Sequence, residues 1–231
     1  MSSQKKISVL MSVYNAEFQV IDAVKSILEQ TYKNLDLYVV DDHSTDNTYG
    51  ILKEFLSEYS NTILLKNNEN LGLTKSLNIL INESEGELIA RQDADDTSNP
   101  FRLEKQIQIM EKFDLDACTT RALIQEEKRV IPKLSHYIPK KILIKYKNPF
   151  IHGSLVIKRN VMNKVGNYDE NFYFSQDYKF FHDFLLNNYK IKVIKEPLYY
   201  LNMKDNISTE FKEQQEYYAE CVRSNKAPKL Y

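Results

Sequence analysis

The sequence predicts an α/β fold in which a mostly parallel, Rossmann-like sheet is flanked by helices, and three observations carry that prediction. Apolar runs of strand length alternate with stretches of helical periodicity from Ile7 onward. Acidic residues come directly after two of those runs, and the carboxyl ends of strands are where open α/β sheets bind ligands. Neither an internal repeat nor a low-complexity linker interrupts the 231 residues, a length sufficient for one substantial core.

Ile7 to Val13 reads as a buried strand, and Phe18, Ile21, Val24 and Leu28 then recur at helical spacing. Leu35 to Val40 is a second strand. Asp46, with Ser44 and Thr45 as alternatives, is placed to cap a helix through Ile51, Leu52, Phe55 and Leu56. A short third strand spans Ile63 to Leu65, the Asn-rich turn from Asn67 to Gly72 precedes a helix carrying Leu73, Leu77, Leu80 and Ile81, and Glu87 to Gln92 forms a fourth strand. Strands separated by helices imply right-handed parallel crossovers. Pro100 suits the first turn of a helix that presents Leu103, Ile107, Met110 and Phe113 to the core. The rhythm then changes. Residues 116 to 135 read as irregular or edge strands, Pro139 to Lys147 as a short basic amphipathic helix, and His152 to Ile157 as a buried strand. A helix over Ser175 to Asn188 carries Tyr178, Phe181 and Leu185 on one stripe, strands come next near Ile191 to Ile194 and Leu198 to Leu201, and a helical tail begins at Thr209.

Composition narrows the function. Lys plus Arg is 31 and Asp plus Glu 32, so a net charge of -1 gives no global attraction to nucleic acid or to an anionic membrane. Cys118 and Cys221 lack the spacing of a zinc or redox site, which fits a reducing compartment, with Cys118 a buried thiol. No apolar stretch approaches the roughly 20 residues of a membrane span, and the polar start from Met1 to Lys6 lacks a signal-peptide core. A cytoplasmic protein is expected.

The acids say most. Asp93, Asp95 and Asp96 crowd the end of the run Leu88-Ile89-Ala90, and carboxylates so close raise one another's pKa unless a cation neutralises them. Hard divalent ions prefer such oxygen ligands. Asp41-Asp42 ends another run, Leu37 to Val40, so two acidic strand ends converge on one site.

Tyr14-Asn15, the run Asp41-Asp42-His43-Ser44-Thr45-Asp46, Asn70-Leu71-Gly72, and Ala90 to Asp96 with Pro100 and Arg102-Leu103 after it together resemble the family 2 glycosyltransferases. Gln176-Asp177-Tyr178 and Asn206-Ile207-Ser208 extend the resemblance over residues 7 to 208. It implies a GT-A fold, a nucleoside-diphosphate sugar donor (UDP-linked as the first expectation), Mn2+ or Mg2+, and inversion at the anomeric centre. It implies that Ser12 and Tyr14 line the nucleotide pocket, with Tyr14 as a stacking face, and that Asp42 accepts a hydrogen bond from the base with Asp41 nearby. Asp93 is directed to the ribose and to the metal, and Asp95 to the metal that bridges the diphosphate, with Asp96 as a third member. Arg91 and Arg102 would pair with surplus carboxylates, and Arg91 could also reach donor or acceptor hydroxyls.

The Asn-rich turn is either only a turn or, through Asn70 and Gly72 before a helix N-terminus, a phosphate contact; Lys75 and Asn78 are further donor-side candidates. Asp177 is the general base by resemblance, although Gln176 stands where the family usually has a first acid. Its plainer reading is a carboxylate favoured by a helix N-terminus. His152 is either a third metal ligand or a satisfied structural residue. The division expected is a nucleotide-sugar half over residues 1–115, an acceptor half over 116–208 bearing the base, and a tail over 209–231.

The acceptor implied is a saccharide or lipid-linked saccharide. Lys140, Lys141, Lys145 and Lys147, with Ile142, Leu143 and Tyr146 between them, form either a solvated helix face or a peripheral contact at the inner face of a membrane. Tyr217, Tyr218 and Val222 would pack on the domain or on a second copy in a homodimer. A nucleotidyltransferase would need a Gly-rich loop where this chain has Ser12-Val13-Tyr14-Asn15. A receiver-type signalling domain would end near half this length. The rival that survives is a catalytically silent sugar-nucleotide-binding protein.

Overall fold

The computed structural model describes residues 4–203 and 211–229. Asn206-Ile207-Ser208 and Met1 to Ser3 lie outside the described residues, as does the start of the tail at Thr209. A nine-stranded sheet forms the centre, with strands from both sides of residue 115.

The first half is a parallel sheet wound as the apolar pattern requires. Strands β1 (Ile7–Val13), β2 (Leu35–Asp41), β3 (Thr62–Lys66) and β4 (Leu88–Arg91) lie in the order β3-β2-β1-β4, all parallel. Helices α1 (Val20–Leu28), α2 (Thr48–Leu56) and α3 (Leu73–Glu83) connect them. Because all four strands run the same way, the acids that end β2 and β4 emerge at one edge. Near-continuous burial along β1 and β2 reflects cover on both sheet faces.

Helix α1 buries Val20, Ala23, Val24 and Ile27. Phe18, expected on that stripe, precedes the helix and stands in solvent. Asp46 does not cap α2 at its first position. The helix begins two residues later, and Asp46 accepts the Thr48 N–H at 3.0 Å and the Glu17 N–H at 3.2 Å, so it joins two loops.

The second half is antiparallel where it meets the first. The two-residue strand β5 (Thr97–Ser98) and helix α4 (Arg102–Lys112) come after the acidic cluster; α4 buries Leu103, Ile107 and Met110, whereas Phe113 falls past the last turn and is half exposed. Strand β6 (Ala117–Ile124) is no edge strand. It lies between β8 (Val156–Lys158) and β9 (Ile191–Leu201), with β7 (Arg129–Ile131) paired to its far end. Its polar Thr119 and Thr120 are wholly buried, and that run of threonines is what disguises it as a surface strand.

The basic stretch at 139–147 contains only the four-residue helix α5 (Lys140–Leu143). His152–Ser154 forms a 3₁₀ turn, with the strand confined to β8. Helix α6 (Arg159–Val165) has no counterpart in the sequence-based expectation. The two expected late strands are one strand, β9, with a register irregularity against β6 near Thr120 and Arg121. Helix α7 (Gln176–Leu186) buries Tyr178, Phe181 and Leu185 as the stripe predicted. The tail helix α8 (Lys212–Ser224) packs on this chain's own core through Cys221 and Val222, with Tyr218 against Phe172. Both cysteines are buried, and burial pushes the Cys118 thiol up to about 12.

Candidate active site

The edge of the parallel sheet gathers three loops. After β1, Asn15 adopts a left-handed conformation with φ of 48°, and its side chain accepts the Thr45 N–H at 2.8 Å. Its own N–H donates to Ser44 Oγ at 3.0 Å. These bonds lash the β1 loop to the β2 loop. Ser12 is partly buried at the strand end and Tyr14 is half exposed beside it, so a ring face remains open to a ligand.

Asp41 and Asp42 are both buried, but their surroundings differ. Asp42 Oδ1 accepts from Asn67 Nδ2 at 2.7 Å and from the Leu71 N–H at 2.9 Å, while Oδ2 accepts from the Gly72 N–H at 2.8 Å. It therefore holds the Asn-rich turn in place. Asp41 Oδ2 accepts only from the Ser44 N–H at 3.2 Å, and Oδ1 is buried without a partner. Gly72 has φ of 80°, and a Cβ there would lie 2.9 Å from the Tyr173 ring, so both backbone and space require glycine. Asn70 and Lys75 are exposed near this turn. Asn78 is buried and bridges α3 to the segment before α7, donating to Tyr168 O and Glu170 Oε1, each at 2.9 Å.

The acidic cluster sits on two buried arginines. Arg91 pairs through Nη2 with Asp93 Oδ1 and donates to Leu10 O at 3.3 Å. Among the described residues Arg102 pairs with no carboxylate. It donates to Arg91 O at 3.1 Å and to Gly153 O and Gln92 Oε1 at 3.4 Å each, beneath the Tyr199 ring, and burial lowers its pKa to about 10. Arg102 thus braces the strand end, a role its sequence position beside the acids does not suggest.

Tyr199 and Gly153 set the position of Asp93. The Asp93 N–H donates to the Tyr199 hydroxyl at 3.1 Å, and that hydroxyl donates to Asp93 Oδ2 at 3.4 Å. A Cβ on Gly153 would lie 2.3 Å from Asp93 Oδ2, so only glycine lets the carboxylate rest there. Asp96 is buried and accepts the Asn202 N–H at 2.8 Å; burial first, then Asp93 and Asp95, push it up to about 8. Asp95 reaches the surface yet is crowded enough that desolvation and Asp93 raise it to about 6. Of the three carboxylates only Asp93 is paired with a guanidinium, which leaves a surplus of hard oxygen donors that fits a divalent cation. Among the described residues, no three His, Cys, Asp or Glu side chains are spaced to hold an ion by themselves.

Asp177 stands at the second position of α7. Its Oδ1 accepts the Tyr178 N–H at 2.7 Å and its Oδ2 accepts from Asn148 Nδ2 at 2.6 Å. Burial raises its pKa, those two donors oppose the rise, and the charge of Asp93 adds to it. The two carboxylates thus sense one another. Tyr168, whose pKa is raised by burial, is acted on by Arg91, Asp177 and Asp93 together, which marks the ground between the acidic cluster and α7. His152 lies in the same neighbourhood, with Nε2 2.7 Å from the Tyr168 hydroxyl and its ring edge-on to Tyr168 and Phe181. Burial and then Arg91 lower its pKa well below the ordinary histidine value, which favours the uncharged imidazole.

Sheet order and strand polarity define a GT-A fold, with the acids gathered at one edge of its parallel sheet. The profile of glycosyl transferase family 2 matches residues 8–179, and the chain belongs to that family. It is 36% identical to the putative glycosyltransferase EpsE of Bacillus subtilis over 175 residues, covering 73% of this chain and 62% of that protein. With the O-antigen biosynthesis glycosyltransferase WbnJ of Escherichia coli it shares 33% identity over 177 residues, 74% of this chain and 68% of the relative. Its fold is similar to that of S. aureus TarS 1-349 in complex with UDP, with a TM-score of 0.75 at 20% identity over 97% of this chain and 67% of that one. The mannosyltransferase PcManGT of Pyrobaculum calidifontis, in complex with GDP-Man and Mn2+, gives a TM-score of 0.75 at 17% identity over 98% and 67%. The matched stretch spans less than two thirds of the B. subtilis relative's length.

Proposed function

We propose that the chain transfers a sugar from a nucleoside-diphosphate sugar to a hydroxyl of a glycan or lipid-linked saccharide, in one displacement that inverts the anomeric centre. The observation that carries this reading is the pairing of an acidic cluster in surplus with a second, oriented carboxylate, Asp177, close enough for Asp93 to shift its pKa.

On the donor side, Tyr14 offers a stacking face, and Asp41 rather than Asp42 is the carboxylate with acceptor capacity to spare for a base, because Asp42 is engaged by the turn. Asp42 then acts on the donor through the position of Asn70 and Gly72. Asp93 and Asp95 are the residues that would hold Mn2+ or Mg2+. A divalent cation so bound offsets charge that grows on a departing diphosphate. His152 is taken up by Tyr168 and supports the floor of the site.

Asp177 takes the proton of the acceptor hydroxyl as it attacks. The raised pKa makes it a better base than a solvated aspartate, while the Asn148 bond keeps one oxygen fixed in direction. A single step without a covalent intermediate inverts configuration. UDP is the first nucleotide to test, since TarS is solved with UDP and PcManGT with GDP-Man.

The experiment is nucleoside-diphosphate release from UDP- and GDP-sugars with manganese, with and without EDTA, coupled to NMR of the product anomer. Retention of configuration would overturn the single displacement. Saturable donor binding with no release above background, across acceptors, would leave the silent-binding reading in its place.

A further inference from the structure

No Asp or Glu occurs between Glu127 and Asp169, and within that gap the stretch 128–147 carries seven Lys and Arg side chains. In a chain whose net charge is -1, this is a strong local asymmetry. Lys128, Lys133, Lys141, Lys145 and Lys147 are exposed. Between them the structure exposes large apolar side chains: Leu134 at 83%, Tyr146 at 68%, Tyr137 at 67%, Ile142 at 54% and Ile138 at 42%. Water-facing aliphatic and tyrosyl groups interleaved with lysine are the composition of an interfacial membrane contact.

The patch is firmly mounted. Lys140 Nζ donates to the carbonyls of Ser135, His136 and Ile138 at 3.1, 2.7 and 3.2 Å, drawing the 3₁₀ turn Leu134–Tyr137 onto α5. Leu143, which the sequence groups with the exposed face, is buried instead and with Ile144 fastens the segment to the core. Tyr178 on α7 donates to Ile144 O at 2.7 Å, and Asn148, just past the patch, donates to Asp177. Beyond the segment, Arg121 and Lys195 add positive potential that, with Lys140, bears on His136.

We infer that residues 133–147 are a docking surface for an anionic lipid bilayer, seating the chain peripherally with the start of α7 close to the membrane. A second copy is the poorer occupant, because a symmetric contact would set two lysine clusters against each other. A nucleic acid or other polyanion would match the lysines but leave Leu134, Ile138 and Ile142 without a partner. Among the described residues no helix is long and apolar enough to cross a membrane, so the contact is interfacial.

The test does not depend on catalysis. The full chain is co-sedimented with phosphatidylcholine vesicles with and without phosphatidylglycerol, at low and high salt. Binding is expected only with the anionic lipid and is expected to weaken with salt. Replacing Lys141, Lys145 and Lys147 together by Glu should weaken it by on the order of a hundredfold or more, at about 1 kcal/mol per cation near such a surface. The chain has no tryptophan, so Tyr146→Trp supplies a sole indole whose emission should shift to the blue on anionic vesicles. Three results would each overturn the inference: no sedimentation at low salt, binding unchanged by the triple charge reversal in a variant with native circular dichroism, or an unshifted indole in a protein that binds heparin as tightly as vesicles. Concentration-dependent dimerisation abolished by the triple reversal, with no vesicle binding, would assign the surface to a second copy.

Discussion

Asp95 and Asp96 after β4 and Asp177 at the start of α7 are all raised in pKa by burial, yet their surroundings differ. Asp177 receives two short hydrogen bonds, from Asn148 and from a backbone N–H, so its charged form is provided for by the fold. Asp95 and Asp96 are raised to about 6 and about 8, by burial first and then by their acidic neighbours, Asp93 for the former and Asp93 and Asp95 for the latter. The donors around Asp177 favour its charged form, whereas Asp95 and Asp96 stand beside an Asp93 that already takes up the Arg91 guanidinium, so the cluster carries negative charge in surplus. That contrast supports the proposed division into a base and a cation site more firmly than the presence of acids in both places.

Substitutions at the two places should therefore fail differently. The largest effect is expected for Asp177→Asn, which keeps the shape and removes the base. Turnover should fall by about 10² to 10⁴-fold with donor affinity unchanged. Donor affinity measured by calorimetry beside kcat tests this, and retained turnover would dissolve the distinction. Asp95→Ala should act on the other side. We expect manganese-dependent donor binding to weaken by roughly 100-fold, in line with what even outer-shell support contributes to metal sites, while metal-free affinity stays constant. Equal loss with and without manganese would mean that Asp95 contacts the donor directly.

Gly153→Ala sharpens the contrast from inside the scaffold. The new Cβ would sit 2.1 Å from the Tyr199 hydroxyl and 2.3 Å from Asp93 Oδ2, so one of them must move. We expect a loss of about 1 to 3 kcal/mol in stability from overpacking, read as a lower Tm, together with weaker manganese-dependent donor binding. A variant with native Tm and native affinity would show that Asp93 is not held by this contact.

The acidic cluster and Asp177 were not equally legible in the sequence. β1, β2 and the acids that end β2 and β4 are local signals, an apolar run with carboxylates directly after it, and parallel winding then forces them to one edge. Phe18 and Phe113 mislead for a simple reason. They continue a helical spacing beyond the turns that exist, where Phe18 stands in solvent and Phe113 is half exposed under Lys192, whose Nζ lies 3.6 Å from its ring centroid. The second half is built from distant pairings: β6 takes its partners from residues 156–157 and from 191–201, and its buried Thr119 and Thr120 erase the alternation that would betray a strand. Asp177 was reachable only by resemblance. Its partner Asn148 lies 29 residues earlier in irregular chain, and Tyr199, which fixes Asp93, lies 106 residues later; no spacing rule links either pair.

Asn148→Ala carries the smallest expected effect and probes the feature that distinguishes Asp177, the proposed base, most directly. The Asn148 amide donates to Asp177 Oδ2 at 2.6 Å and thereby favours the anion, opposing the rise that burial imposes. Removing it withdraws a hydrogen bond to a charged group, about 1.5 to 3 kcal/mol, and raises the Asp177 pKa further above the ordinary carboxylate range. A base must be deprotonated to act, so rate rises with pH through its pKa. The acid limb of the kcat profile should move to higher pH in the variant, and kcat at pH 7 should fall by about tenfold with donor affinity intact. Asn148→Asp should shift the limb further, since a second carboxylate beside the first disfavours its charge. A limb that stays in place while kcat falls would make Asn148 a packing residue only, and would leave the direction of the Asp177 carboxylate to the Tyr178 N–H alone.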